Sequence, residues 1–246
     1  MNCLVTGSTK GIGKQIGLDL LGKDYSVYFS GHSQESIDKF DKENRHRNCD
    51  NDYLPVYYMI KQDLSTLEGN LDLADYFKSQ NIRLDVLVLN LGITDRTPFG
   101  LIKYDSWNKV MDVNLNFPFF LIQALMYNGN INDGGRIIFI SSISGIVPDS
   151  VSIPYGVSKA GINMLVPYLA KEFADRKITV NAVAPGYTTT SWHSSKSNEQ
   201  MERIANKCLA NRFGTPEEVS KVVMMVIENG YINGQVIRCD GGFGLK

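Results

Sequence analysis

Histidine and cysteine are scarce: three of the first and four of the second in 246 residues. The cysteines (Cys3, Cys49, Cys208, Cys239) include no close-spaced pair, and the histidines (His32, His46, His193) lack metal-ligand spacing. No disulfide framework or metal site is expected, and four free thiols fit a reducing, cytoplasmic compartment. No stretch approaches about 18 apolar residues without a charge, so no transmembrane helix is expected. The opening MNCLVTG has no basic region ahead of an apolar one and reads as a strand rather than a secretory signal. Neither sign of charge is in excess, since Lys and Arg total 25 against 26 for Asp and Glu. Bulk electrostatics therefore give no reason to expect nucleic acid or an anionic membrane as partner.

What is present is regular alternation. Short apolar, β-branched runs (NCLVT, YSVYFS, PVYYMI, LDVLVLN, RIIFIS, ITVNAVA, GQVIRC) are separated by amphipathic ones near 12–23, 34–46, 67–79, 105–127, 155–176 and 215–228. Strand and helix alternating in this way predict an α/β fold with a mostly parallel, seven-stranded sheet covered on both faces. DVLVLN and RIIFIS are almost continuously apolar, as central strands buried on both sides require. No linker divides the chain, so residues 1–246 are expected to form a single domain, with the polar stretch 42–52 a solvated turn. Residues 143–154 and 187–213 are long connections leaving the carboxyl ends of strands, where open α/β sheets bind ligands. Both are expected to be substrate walls or lids.

Four motifs carry chemistry. TGSTKGIG follows the first strand and opens the first helix, with Gly7, Gly11 and Gly13 spaced to let backbone approach a pyrophosphate at a helix N-terminus. Glycine is common in turns, and the strand-to-helix position is what makes this one informative. In QDLS, Asp63 ahead of Leu64 either accepts a hydrogen bond from an adenine amino group or caps the next helix. LNLG places Asn90, Leu91 and Gly92 at the end of the fourth strand, where a cofactor would cross the sheet edge. The last is a constellation: Asn114, Ser142, Tyr155 and Lys159, with the tyrosine 13 positions after the serine.

With these motifs in order, the sequence resembles the short-chain dehydrogenases/reductases, in the subgroup marked by T-G-x3-G-x-G and Y-x3-K, over essentially its whole length. The resemblance implies a Rossmann-type, doubly wound fold and hydride transfer between a nicotinamide and a carbonyl or secondary alcohol. It implies that Tyr155 is the general acid and base, that Ser142 (rather than its neighbour Ser141) binds the reacting oxygen, and that Asn114 positions a water beside Lys159. Lys159 would lower the Tyr155 pKa and hold the nicotinamide ribose. Residues four apart on a helix share a face. A cation about 4 Å away at an effective dielectric near 20 supplies the roughly 4 kcal/mol needed to bring a phenol from about 10 to about 7. The bland alternative is a Tyr–Lys pair packed on a helix surface. Cofactor contacts are expected from Gly7, Ser8, Thr9, Lys10, Gly11, Ile12, Gly13, His32, Asp63, Leu64, Asn90, Leu91, Gly92, Tyr155, Lys159, Pro185, Gly186, Thr188 and Thr190. Leu91 replaces the family's usual alanine, and Thr188 an aliphatic residue.

The second strand ends in Gly31, His32 and Ser33, without the carboxylate that binds an NAD ribose, while Lys10 is placed for a 2′-phosphate. NADP is therefore expected ahead of NAD, although Lys is a less specific phosphate partner than Arg. Ile146, Val147, Val151, Ile153, Trp192 and His193 offer a mixed substrate wall without an ionic anchor. The lid and ANRFGTPEE are similar to 3-oxoacyl-[acyl-carrier-protein] reductases, which implies an acidic carrier protein as partner. The sequence shows no clear basic patch for one beyond Lys171, Arg176 and Lys177. A sugar, polyol, steroid or small-ketone substrate is the alternative, and a non-catalytic nucleotide sensor a further one. The family layout also implies a homo-oligomer, dimer or tetramer, packed through helices such as 105–127 and 155–176.

Overall fold

The computed structural model describes residues 1–44, 56–148 and 152–245. Seven strands form one sheet: β1 (Asn2–Val5), β2 (Ser26–Gly31), β3 (Tyr57–Lys61), β4 (Leu84–Leu89), β5 (Ile131–Ile140), β6 (Thr179–Pro185) and β7 (Val236–Cys239). Their order is β3-β2-β1-β4-β5-β6-β7 and every pair is parallel, a stricter arrangement than the mostly parallel sheet expected. The order reverses between β1 and β4, and the crevice at that switch point is where such sheets bind ligands.

Period-two alternation sends the strand side chains to two separate cores. On one face Leu4, Leu87 and Phe139 pack with α3 (Leu67–Ser79), α5 (Phe117–Tyr127) and α6 (Ile153–Glu172). On the other, Val5, Phe29, Val88 and Ile138 meet α1 (Gly11–Leu21), α2 (Gln34–Asn44) and α8 (Pro216–Glu228). Apolar side chains on both faces of β4 and β5 explain their unbroken hydrophobic runs. Gly17 shows how close the fit is, because a Cβ there would stand 2.2 Å from Cε1 of the fully buried Phe29. Gly to Ala inside a helix ordinarily gains up to about 1 kcal/mol. Here Gly17→Ala is expected to lose about 1–3 kcal/mol by overpacking, read as a lower midpoint in urea unfolding.

The run 105–127 is not one helix. It divides into α4 (Tyr104–Met111), a π-helical turn at Asp112–Asn116 and α5. Pro118 has no N–H to give the Asn114 carbonyl four residues back, so the regular ladder breaks there. The 187–213 connection holds a 3-10 turn at Ser191–His193 and α7 (Asn198–Ala205). β5 begins five residues earlier than its apolar core, with a register irregularity between Leu84 and Val86 of its neighbour. Residues 45–55, which hold most of the polar stretch with His46, Cys49 and Pro55, lie outside the described residues, as does Val151. No helix among the described residues is long and apolar enough to cross a membrane.

Candidate active site

The turn from β1 to α1 forms one wall of a cleft. Gly7 and Gly11 hold φ of +60° and +59°, left-handed values that side chains disfavour. A Cβ on Gly7 would stand 3.1 Å from Leu91 Cα, so the turn lies directly against the end of β4. Asn90 fastens the two segments, its amide donating to the carbonyls of Thr6 (3.0 Å) and Gly7 (2.9 Å). Lys10 occupies the N-cap of α1 without a side-chain cap hydrogen bond. The first N–H groups of that helix thus have no side chain ahead of them, the arrangement that suits a phosphate.

A cleft of about 690 Å³ runs from this turn along the carboxyl ends of the strands. It is lined by all the residues expected at cofactor or reaction except Ser8, Gly13 and Asn114. Those three stand behind the wall. The Ser8 hydroxyl donates to Val5 O (2.7 Å) and accepts from Ser30 N–H (3.0 Å), tying the turn to β2. Gly13 makes room for Asn90, whose Nδ2 would be 2.4 Å from a Cβ there. The Asn114 side chain accepts from Ile93 N–H at 2.8 Å and donates to Ile93 O and Ser158 Oγ at 2.9 and 3.0 Å. It clamps the segment leaving β4. Gly92 completes that corner, where a Cβ would stand 3.4 Å from Asn114 Oδ1 and 3.5 Å from Lys159 Nζ.

Two expected contacts take a different local form. Asp63 does not cap α3, whose cap is Thr66, accepting from Gly69 N–H at 3.0 Å. Its carboxylate instead accepts from the N–H and hydroxyl of Ser65 at 3.0 and 2.7 Å, which hold its pKa below the usual range. Thr188 is buried with its hydroxyl on Gly186 O at 3.2 Å. Thr190 stands across the glycine turn, 3.5 Å from where a Gly11 Cβ would be.

Tyr155, Lys159 and Ser142 converge at the other end. Ser152 caps α6 by accepting the Tyr155 N–H, which puts the tyrosine in the first turn of a 20-residue helix and Lys159 one turn on. Lys159 is buried, donates from Nζ to Ile140 O at 2.8 Å and stands 5.7 Å from the centre of the Tyr155 ring. Burial lowers its amine to about 8. Burial also raises the phenol of the half-buried Tyr155, and the group that opposes this is the hydrogen-bonded Ser142. Lys159 is not among the groups that act on the phenol in this arrangement of the chain. The amine is turned to a backbone carbonyl, and desolvation dominates both groups. Ser141 faces elsewhere, its hydroxyl donating to Asn163 Oδ1 at 2.6 Å.

The substrate end differs more from expectation. Trp192 and His193 line the cleft, but Ile146, Val147 and Ile153 do not, and Ile143 and Tyr187 take their place. Val147 packs instead with Cys208, Phe243 and Tyr187 under the chain's end. Arg176 and Lys177 immediately precede β6, at the amino edge of the sheet and away from the cleft; Arg176 is paired with Asp133 at 2.7 Å. Lys171, at the end of α6, shares that edge. The cation that does line the substrate end is Arg96, which sequence alone does not reveal because nothing in TDRTP marks it.

A crevice at a parallel-sheet switch point, with a glycine turn at one end and a phenol, a hydroxyl and a buried amine at the other, defines a dinucleotide-dependent oxidoreductase. The family model described as Enoyl-(Acyl carrier protein) reductase matches residues 7–244. The 3-oxoacyl-[acyl-carrier-protein] reductase of Thermotoga maritima is 32% identical over 246 residues, covering 98% of this chain and 96% of its own. The 7alpha-hydroxysteroid dehydrogenase of Bacteroides fragilis is 30% identical over 245 residues, covering 97% and 92%. Among solved structures, the Pseudomonas aeruginosa RhlG/NADP active-site complex superposes with a TM-score of 0.89 at 29% identity, covering 99% and 96%. The chain belongs to the short-chain dehydrogenase/reductase family of oxidoreductases, which bind a nicotinamide cofactor, and is close to its 3-oxoacyl-[acyl-carrier-protein] reductases.

Proposed function

We propose that this enzyme prefers NADP and reduces the carbonyl of 3-oxoacyl thioesters to a secondary alcohol. The observation that carries the reading is the convergence of Ser142, Tyr155 and Lys159 on the cleft that the glycine turn closes. Relatives from four organisms named as 3-oxoacyl-[acyl-carrier-protein] reductases, each matched over nearly its whole length, support the substrate class. When bound, the nicotinamide supplies the hydride. Tyr155 holds the proton that passes to the carbonyl oxygen; burial keeps that phenol protonated at neutral pH, which suits the direction of reduction. Ser142 donates to the same oxygen as negative charge develops on it. Lys159, which lines the cleft one helical turn from Tyr155, would hold the ribose hydroxyls and bring positive charge toward the phenol. Asn114, in the π-helical turn behind Gly92 and Lys159, is the residue that would position a water beside Lys159. A 3-oxoacyl thioester assayed beside small ketones, a sugar and a hydroxysteroid tests the substrate; reduction of the others without the thioester would refute it.

NADP preference is supported by the adenosine end. Lys10, His32 and Ser36 line it, and Asp63 is the one carboxylate lining the cleft among the described residues. The related RhlG was solved as a complex with NADP. A charge-assisted hydrogen bond is worth about 1.5–3 kcal/mol. Lys10→Gln is therefore expected to lower kcat/KM for NADPH by roughly 10- to 100-fold and leave NADH within about threefold. A wild-type preference for NADH would overturn this part. A homo-oligomer is proposed as well: Phe120 on α5 and Val157, Met164 and Tyr168 on α6 are exposed apolar side chains.

A further inference from the structure

The mouth of the cleft gathers positive charge that no ion pair among the described residues neutralises. Arg96, on the segment leaving β4, lines the cleft beside Thr94, Trp192 and His193. Lys196 lies three residues beyond His193, its N–H donating to His193 O at 3.0 Å, and Arg203 follows on α7. These cations are close enough to act on one another: burial first, then Lys196 and Arg96, hold His193 down to about 4, and Arg96 and Arg203 add to the burial that lowers Lys196.

The nearby carboxylates Asp95 and Glu199 bond to neighbouring donors rather than to these cations. Asp95 Oδ1 accepts from the Thr97 N–H and hydroxyl at 2.9 and 2.6 Å while its Oδ2 has no hydrogen-bond partner among the described residues, and Glu199 is held by Ser197. Among the described residues Arg96, Lys196 and Arg203 form no ion pair. Two buried polar atoms of the cleft wall, Thr94 Oγ1 and His193 Nδ1, have no hydrogen-bond partner among the described residues. A neutral imidazole and a hydroxyl can each donate one hydrogen bond. Unpaired polar atoms of this kind are costly unless a ligand satisfies them.

We infer that the substrate carries an anionic group, a carboxylate or a phosphate, bound by Arg96 and accepting hydrogen bonds from Thr94 and His193, with Lys196 and Arg203 adding positive charge nearby. The inference rests on the carbonyl-reductase reading and narrows its substrate. Arg is suited to this task because its planar fork meets a carboxylate or phosphate through two parallel bonds.

Two matched pairs of probes test it. Acetoacetate and methyl acetoacetate present one carbonyl with and without a carboxylate. Acetoacetyl-CoA and the acetoacetyl thioester of N-acetylcysteamine do the same for phosphate, so the pair that discriminates identifies the source of the charge. In at least one pair the anionic member is expected to have a kcat/KM about 10-fold or more above its neutral partner. Arg96→Gln, at the cleft mouth, is expected to abolish that preference, and Lys196→Gln, just beyond His193, to weaken it, while the neutral member stays within about threefold. Equal use of both members in both pairs, or a uniform loss in Arg96→Gln, would overturn the inference. Should no probe be reduced, the failure belongs to the reductase reading. The anion site is then judged from Trp192 fluorescence on titration with acetoacetate and with pantetheine 4′-phosphate. A response lost in Arg96→Gln supports the site, and no response in the wild type sinks it.

Discussion

Tyr155→Phe is expected to lower kcat by about 10³-fold or more while leaving cofactor affinity within about threefold. The substitution keeps the ring, and with it the contact to Trp192 at 6.0 Å between ring centres and the position in the first turn of α6. What disappears is the phenolic proton that passes to the reacting oxygen. Ser142 cannot take over, because its pKa as a simple hydroxyl is far too high for proton transfer and its oxygen also accepts the Ser144 N–H at 3.1 Å. Removing the phenol leaves Ser142 short of one partner, worth about 1 kcal/mol, so the variant should fold with a melting temperature a few degrees from the wild type at most. The assay is steady-state reduction beside a fluorescence titration with NADPH. Turnover within tenfold of the wild type would mean that another group moves the proton and that the assigned chemistry is wrong.

The sheet was legible because its physics is local. Continuous apolar strands such as DVLVLN can only be buried on both faces, and alternation with amphipathic helices leaves a parallel sheet as the economical solution. The Y-x3-K spacing placed two side chains on one helical face but carried no information on burial. That is why Lys159 is expected to point its charge at the phenol and is found instead buried, donating to Ile140 O, with its pKa lowered to about 8. Ser8 and Gly13 were grouped with the cofactor contacts because a motif is read as a unit. In three dimensions the turn has two sides, and these residues face β2 and Asn90. Arg96 and Lys196 are a hundred residues apart and neither sits in a motif. Their proximity comes from the fold alone, since connections leaving β4 and β6 meet at the same edge. Pro118, by contrast, is a legible signal of the break in the 105–127 run, a helix breaker in the middle of apolar residues.

Lys159→Met is expected to remove activity and to make the cofactor-free protein more stable at neutral pH. Burial depresses the amine from 10.5 to about 8. Protonating it inside the fold at pH 7 therefore costs about 3 kcal/mol relative to the unfolded chain. Methionine has similar length and no charge to desolvate, but it leaves Ile140 O without its donor, a loss of about 1 kcal/mol or more. The net gain is about 1–2 kcal/mol, or roughly 2–8 °C in melting temperature for a chain of this size. The pH dependence separates this mechanism from better packing. Between pH 8 and 10.5 the unfolded lysine binds more protons than the folded one, so wild-type stability rises with pH through that window; below pH 8 the full cost remains. The advantage of Lys159→Met should accordingly be largest at pH 7 and shrink toward zero or reverse by pH 10, with groups common to both proteins cancelling. Turnover should fall by about 10²-fold or more, because the cation one helical turn from the phenol is gone. Melting curves of the two proteins across pH 7–10, without cofactor, decide the matter. A variant less stable than the wild type at pH 7, or a difference independent of pH, would mean that the folded enzyme carries this amine without cost. Tyr155 could not then owe its retained proton to a dry, uncompensated site.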